Sequence, residues 1–251
     1  MTVILVPYHL DEHLPGLGAV LPEGIEPTTV AAHIRDGDVW SRLGDIAVPT
    51  AQAVAETAHG RPVIVSGDCS ASMAVLAGLQ RSGIDAGIVW FDAHGDVQTL
   101  ETSASGYPGG MPLRIIVGYR PELIADRLGL KPIAEDRALL VGARDLDPPE
   151  TAYLETAAIR RSKLDDVAEH LPPGPLVLHI DVDVVDSDQM PGLRYPAAYG
   201  PSAEAVVAAA GRVLATGRVV AVDIACTWFD DGPDWTRASL LQSLLAEAAW
   251  T

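Results

Sequence analysis

Short, unbroken apolar runs recur along the chain, at residues 3–6, 63–65, 87–91, 138–141, 176–180 and 219–224. Runs of this length without polar alternation suit strands buried on both faces of a parallel sheet. Between them the apolar spacing shifts to the helical period, at 50–58, 70–79 and 121–128, the last with Pro121 at its first position. Two Ala/Leu-rich stretches, 203–215 and 235–249, follow the N-cap candidates Ser202 and Asp234. Strand–helix alternation over the whole length predicts one α/β domain, residues 1–251, on a mainly parallel sheet. Segment 8–48, rich in proline, glycine and acidic residues, keeps neither period and reads as irregular.

Composition narrows the function. A chain of 251 residues with 48% apolar content can bury a sizeable core. Its 17 basic against 34 acidic residues, a net charge of −17, argue against a phosphate-backbone partner, so no nucleic acid is expected. No apolar run approaches the ~20 residues of a membrane span. The start, Met1 to Pro7, lacks a basic n-region and reads as a first strand. Two cysteines cannot build a secreted disulfide framework, and a cytoplasmic protein is expected. A Cys69–Cys226 disulfide stays open, although a cytosolic compartment disfavours it. His9, His13, His33, His59, His170 and His179 lack ligand-type neighbours in sequence and read as surface or core residues. Trp40, Trp228 and Trp250 read as packing residues, with Trp228 near enough to Cys226 to line a pocket.

In open parallel sheets ligands sit beyond the carboxyl ends of the strands. Four apolar runs end in chemistry-bearing residues: Ser66-Gly-Asp68-Cys69-Ser70, Asp92-Ala-His94-Gly-Asp96, Asp181-Val-Asp183 and Asp223-Ile-Ala-Cys226. Alternate residues of extended chain point the same way, so Asp92, His94 and Asp96 can converge on one locus. Carboxylates packed this closely repel unless a cation neutralises them. Asp181-Val-Asp183 repeats the geometry, although alone it fits an N-cap or a solvent-facing pair equally well. The five ligands together, four of them hard oxygens, suit a pair of Mn²⁺-like ions better than zinc.

These motifs resemble the dimetal signature of the ureohydrolases, the arginase and agmatinase superfamily. The resemblance runs over most of the chain. Ser66-Gly-Asp68-Cys69-Ser70 is similar to the family's G-G-D-H-S, 105–112 to S-G-N-x-H-G-x-P, and Gly142 to Glu150 to G-x-R-D-x-D-x-x-E. It implies a three-layer α/β/α sandwich and two Mn²⁺ ions, with Asp92 and Asp181 bridging them. Asp96 would bind one ion, His94 and Asp183 the other, and Cys69 would stand at a ligand position. The implied reaction is attack of a metal-bridging hydroxide on a guanidinium carbon, with Asp96 moving the proton. Ser105, Asp147 and Glu150 match positions that hold the α-carboxylate and α-amino group of an amino-acid substrate, and Gln98 stands where the family has asparagine.

Three departures bear on the substrate. Cys69 replaces a metal-binding histidine, Gly109 replaces the histidine that shuttles protons, and Cys226 replaces the glutamate that grips the guanidinium. Tyr195 is bulky where the family has threonine. The amino-acid end thus looks preserved and the guanidine end rebuilt, which disfavours plain arginine. The combination resembles the Nω-hydroxy-L-arginine hydrolases of D-cycloserine biosynthesis, implying L-ornithine and hydroxyurea as products of a less basic guanidine. Other readings are a ureohydrolase acting on another guanidino or formimino compound, and a catalytically dead metal-binding relative. Arginases are commonly trimers or hexamers with, in some, a C-terminal tail; the helical pattern here runs to the end of the chain, and a monomer is expected.

Overall fold

The structure, a computed structural model, describes residues 2–230 and 234–249. Its strands are β1 (Val3–Val6), β2 (Tyr8–His9), β3 (Glu12–His13), β4 (Thr28–Thr29), β5 (Val63–Ser66), β6 (Gly87–Phe91), β7 (Ala138–Val141), β8 (Arg160–Ser162), β9 (Leu176–Asp181) and β10 (Val219–Ala225). Eight form one sheet in the order β4-β1-β5-β10-β9-β6-β7-β8, with every neighbouring pair parallel. β2 and β3 make a separate antiparallel hairpin. All the apolar runs are strands, and the central ones are buried along their length.

The helices are α1 (Val39–Thr57), α2 (Ala71–Arg81), α3 (Pro112–Ile116), α4 (Ala125–Leu128), α5 (Pro148–Leu154), α6 (Ala203–Leu214) and α7 (Trp235–Ala248). Leu43, Val54, Met73 and Leu76 of α1 and α2 pack with Ile64, Trp90 and Val177 on one sheet face. Val206, Val213, Leu241 and Leu244 of α6 and α7 pack with Val63, Val89, Leu178 and Val222 on the other. The result is the expected α/β/α sandwich. Ser202 and Asp234 cap α6 and α7 as expected, accepting from Ala205 N at 3.1 Å and Thr236 N at 2.7 Å.

Segment 8–48 is more regular than its composition suggests. It holds the β2–β3 hairpin, the edge strand β4 and the first half of α1, which begins at Val39 behind an Asp38 cap rather than at 50. Pro49 lies inside that helix and hides its start, because proline ordinarily breaks a helix. Stretch 121–128 divides into a 3₁₀ turn, Pro121–Leu123, and α4. Trp40 packs against the core, while Trp250 lies outside the described residues. Among the described residues, no helix is long and apolar enough to cross a membrane. The strand order leads outward from β10 and β9 on both sides, so the carboxyl ends of β5, β10, β9 and β6 stand side by side. That is the crevice where a doubly wound sheet presents ligand-binding residues.

Candidate metal centre

The acids of β6 and β9 meet. Asp92 follows β6 on the face that carries Ile88 and Trp90, and Asp181 ends β9 on the same face. Asp92, Asp96, Asp181 and Asp183 are all buried, the most exposed of them by only 6%. His94 Nδ1 lies 3.1 Å from Asp183 Oδ2 and 3.4 Å from Asp92 Oδ1. Cys69 Sγ, one residue before the α2 N-cap, donates to Asp181 Oδ2 at 2.8 Å. Asp92 also accepts from Trp90 Nε1 at 2.9 Å and from the His94 amide at 2.7 Å. Asp96 adopts a left-handed backbone, φ 51°, a conformation costly for a residue with a Cβ. Its Oδ2 is buried without a hydrogen-bond partner. All six expected ligands therefore gather at one locus.

Electrostatics shows what the cluster lacks. Burial, and then the charge of Asp92, raises Asp96 well above the ordinary carboxylate range. Burial and the charge of Asp183 do the same to Asp181. Burial and Asp92 bring Asp183 up to about 6. Burial works against a charged His94, yet its bonds to Asp183 and Asp92 push it up to about 12. Burial and the charge of Asp181 raise the Cys69 thiol. Protein cations do not balance this set: the His94 imidazole and the Arg144 guanidinium face four carboxyls. Oxygen donors, an imidazole and a thiol at this density, with the Asp96 Oδ2 orphaned, fit a pair of divalent cations. Asp92, His94 and Asp183 offer ligand atoms within 4.8 Å of one another, and so do Cys69, Asp92 and His179.

A cavity of about 340 Å³ opens above the cluster. Gln98, Ser105, Asp147, Glu150 and Tyr195 line it, as expected from sequence. Gln98 Nε2 donates to Asp147 Oδ2 at 2.8 Å, presenting the two as one polar wall. Glu150 is largely committed already. Its carboxylate accepts from the Asp147 amide at 3.1 Å, one half of the capping box of α5, and from the Val97 amide at 3.3 Å. Cys226 does not reach the cavity. Beyond the irregularity at Val219–Ala221, Ala221, Asp223 and Ala225 of β10 face α2, while Val222, Ile224 and Cys226 face α6 and α7, so Cys226 is fully buried there. Trp228 packs in the same layer and is likewise no part of the lining. Thr227 lines the cavity instead, donating to Asp181 Oδ1 at 2.6 Å. Both cysteines are free thiols.

Sequence reasoning missed three further residues. Tyr107 lines the cavity with its ring 4.9 Å from that of Tyr195. Its hydroxyl lies 3.2 Å from both His9 Nε2 and Asp68 Oδ2, and His9 Nδ1 lies 2.9 Å from the Gly67 carbonyl. A Cβ at Gly109 would fall 2.3 Å from Tyr107 Cε1, so this ring fills the space that a side chain at 109 would need. The third is His179, buried behind Cys69. His9 and His179 read as isolated because their partners lie on other elements. Tyr107, standing at the asparagine of the matched motif, was the one local signal. His13, His33, His59 and His170 are exposed, as expected.

A family model described as the arginase family matches residues 30–228. The chain is 31% identical to an arginase of Bacillus subtilis over 155 residues, 56% of this chain and 52% of that protein. It is 32% identical to an N(omega)-hydroxy-L-arginine amidinohydrolase of Streptomyces lavendulae over 165 residues, 61% of this chain and 59% of that protein. The chain thus spans little more than half the length of these curated relatives. Its fold superposes on the crystal structure of Bacillus caldovelox arginase with a TM-score of 0.85, at 20% identity, covering 98% of this chain and 96% of that one. By its matched residues, its sheet and its strand-end cluster, the chain belongs to the arginase family.

Proposed function

We propose that this chain is a dimetal amidinohydrolase of a modified guanidine, converting Nω-hydroxy-L-arginine and water to L-ornithine and hydroxyurea. Two Mn²⁺ ions are the intended cofactors. Asp92 and Asp181 would be shared between them, with Cys69 and Asp96 on one side and His94 and Asp183 on the other. When bound, such a pair lowers the pKa of water and fixes a nucleophile beside a planar electrophile. The remaining work falls to the chain. Gln98, Ser105 and Asp147 hold the amino-acid end, orienting the substrate along the cavity. Tyr107 and Tyr195 flank the guanidine end and exclude water. Asp96 Oδ2, buried and unpartnered, is the atom that accepts a proton and returns it to the departing nitrogen.

The observation that carries the substrate choice is the Tyr107 ring, which stands where a shuttle side chain at 109 would reach. No carboxylate replaces the guanidinium clamp at 226, because Cys226 faces the opposite layer. A guanidine made less basic by N-hydroxylation depends less on such a clamp. The similarity to the Streptomyces lavendulae enzyme supports the same choice. The test is a panel of L-arginine, Nω-hydroxy-L-arginine, agmatine and guanidinobutyrate at matched concentration with Mn²⁺. The hydroxylated amino acid should have the highest kcat/KM. Equal or faster turnover of L-arginine would overturn the substrate, and no turnover of any member would point to an inactive metal-binding relative.

A further inference from the structure

His179 is a fully buried imidazole to which the proposed reaction gives no task. It sits two residues before Asp181 on β9, paired in register with Trp90 of β6, and its ring lies 3.8 Å from the Trp90 ring. Its Nδ1 is 2.9 Å from Asp223 Oδ2 and 2.9 Å from Ser72 Oγ. The Ser72 hydroxyl itself donates to Asp223 Oδ2 at 2.5 Å. With that proton directed at the carboxyl, Nδ1 faces two oxygen acceptors and is the nitrogen that carries hydrogen. Nε2 is thereby left with a lone pair, and it is buried without a hydrogen-bond partner. Leaving such a group unsatisfied is costly, so its retention calls for an acceptor of that lone pair.

The neighbourhood supplies one. A ring nitrogen of His179, Cys69 Sγ and an Asp92 oxygen lie within 4.8 Å of one another. Asp223–His179 reproduces the arrangement in which a carboxylate takes one ring N–H and turns the other nitrogen toward a metal. We propose that His179 Nε2 is a ligand of the ion on the Cys69 side, held in tautomer and orientation by Asp223 and Ser72. This rests on the metal centre described above and extends its ligand set. The imidazole that the family pattern places at position 69, after β5, is here supplied from β9, on the far side of β10. Sulfur, nitrogen and oxygen donors together make this the softer of the two positions, favouring Co²⁺ or Zn²⁺ over Mn²⁺ relative to its neighbour.

The test titrates the metal-free full chain with Co²⁺ and follows thiolate-to-metal charge transfer, which reports the ion touching Cys69. Wild type should bind two ions, one with this band. His179→Gln should weaken the band-carrying ion at least about 100-fold and Asp223→Asn about 10- to 100-fold, leaving the second ion within about threefold. A folded His179→Gln variant with unchanged titration and band would overturn the proposal. Should that variant not fold, the crystal structure of Co²⁺-loaded wild type decides: Nε2 at roughly 2.1 Å from the ion is required, and a gap beyond roughly 3 Å overturns it. Two ions bound without His179 sink this inference alone. A wild-type chain that binds no ion sinks both this inference and the proposed function.

Discussion

Tyr107 and Gly109 share one small volume. Histidine at 109 would bring its Cβ within 2.3 Å of the tyrosine ring, whose hydroxyl is held by His9 and Asp68. Overpacking of this kind typically costs about 1–3 kcal/mol. Gly109→His alone is therefore expected to lower stability in denaturant titrations, and Tyr107→Ala in the same chain to recover most of the loss. Equal stability of Gly109→His and wild type would mean that the ring does not guard this space. Asp181 makes the opposite case, a residue that many groups use. Cys69, Thr227 and the Asp183 amide all donate to its carboxylate. Asp181→Asn removes an anionic ligand and should weaken Mn²⁺ binding by at least about 100-fold in equilibrium dialysis, since even outer partners are worth 10–100-fold.

At the scale of elements, the α1–α2 contact rests on Gly78. A Cβ there would sit 2.6 Å from the Ala51 carbonyl and 2.7 Å from Val54 Cβ. Alanine in a helix is ordinarily better than glycine by up to about 1 kcal/mol. Here Gly78→Ala is expected to destabilise instead, lowering Tm by roughly 3–10 °C, and a raised Tm would contradict the packing described. The same scale explains what was legible in the sequence. Strands β6, β7 and β9 announce themselves because both their faces are buried, and Asp92 follows β6 directly while Asp181 closes β9. Cys226 was misplaced because motif position says nothing of phase: a shift of one residue along β10 sends a side chain to the other layer. The exposed residues of β8 carry no apolar period, and the start of α1, where Val39, Leu43, Ile46 and Ala47 do recur at helical spacing, is hidden by Pro49. His9, Tyr107 and His179 gain their meaning only from partners far along the chain.

For the whole molecule, the buried cluster couples stability to pH. Asp183 keeps its proton up to about 6 and His94 keeps its own up to about 12, against ordinary values near 4 and 6.5. Asp96 and Asp181 shift upward as well. In each case the folded state binds more protons than the unfolded one. The stability they give is full below the unfolded pKa and is lost as pH rises through the folded one. Metal-free protein is thus predicted to melt at lower temperature at pH 8 than at pH 5. Mn²⁺, which needs deprotonated ligands, should raise Tm more at pH 8 and release protons on binding. A metal-free Tm that climbs from pH 5 to pH 8 would contradict this coupling. The most direct test of the central claim is the metal content of the purified chain after loading with Mn²⁺ and dialysis, read by mass spectrometry. Close to two ions per chain is the predicted result, and a content near zero would contradict the account.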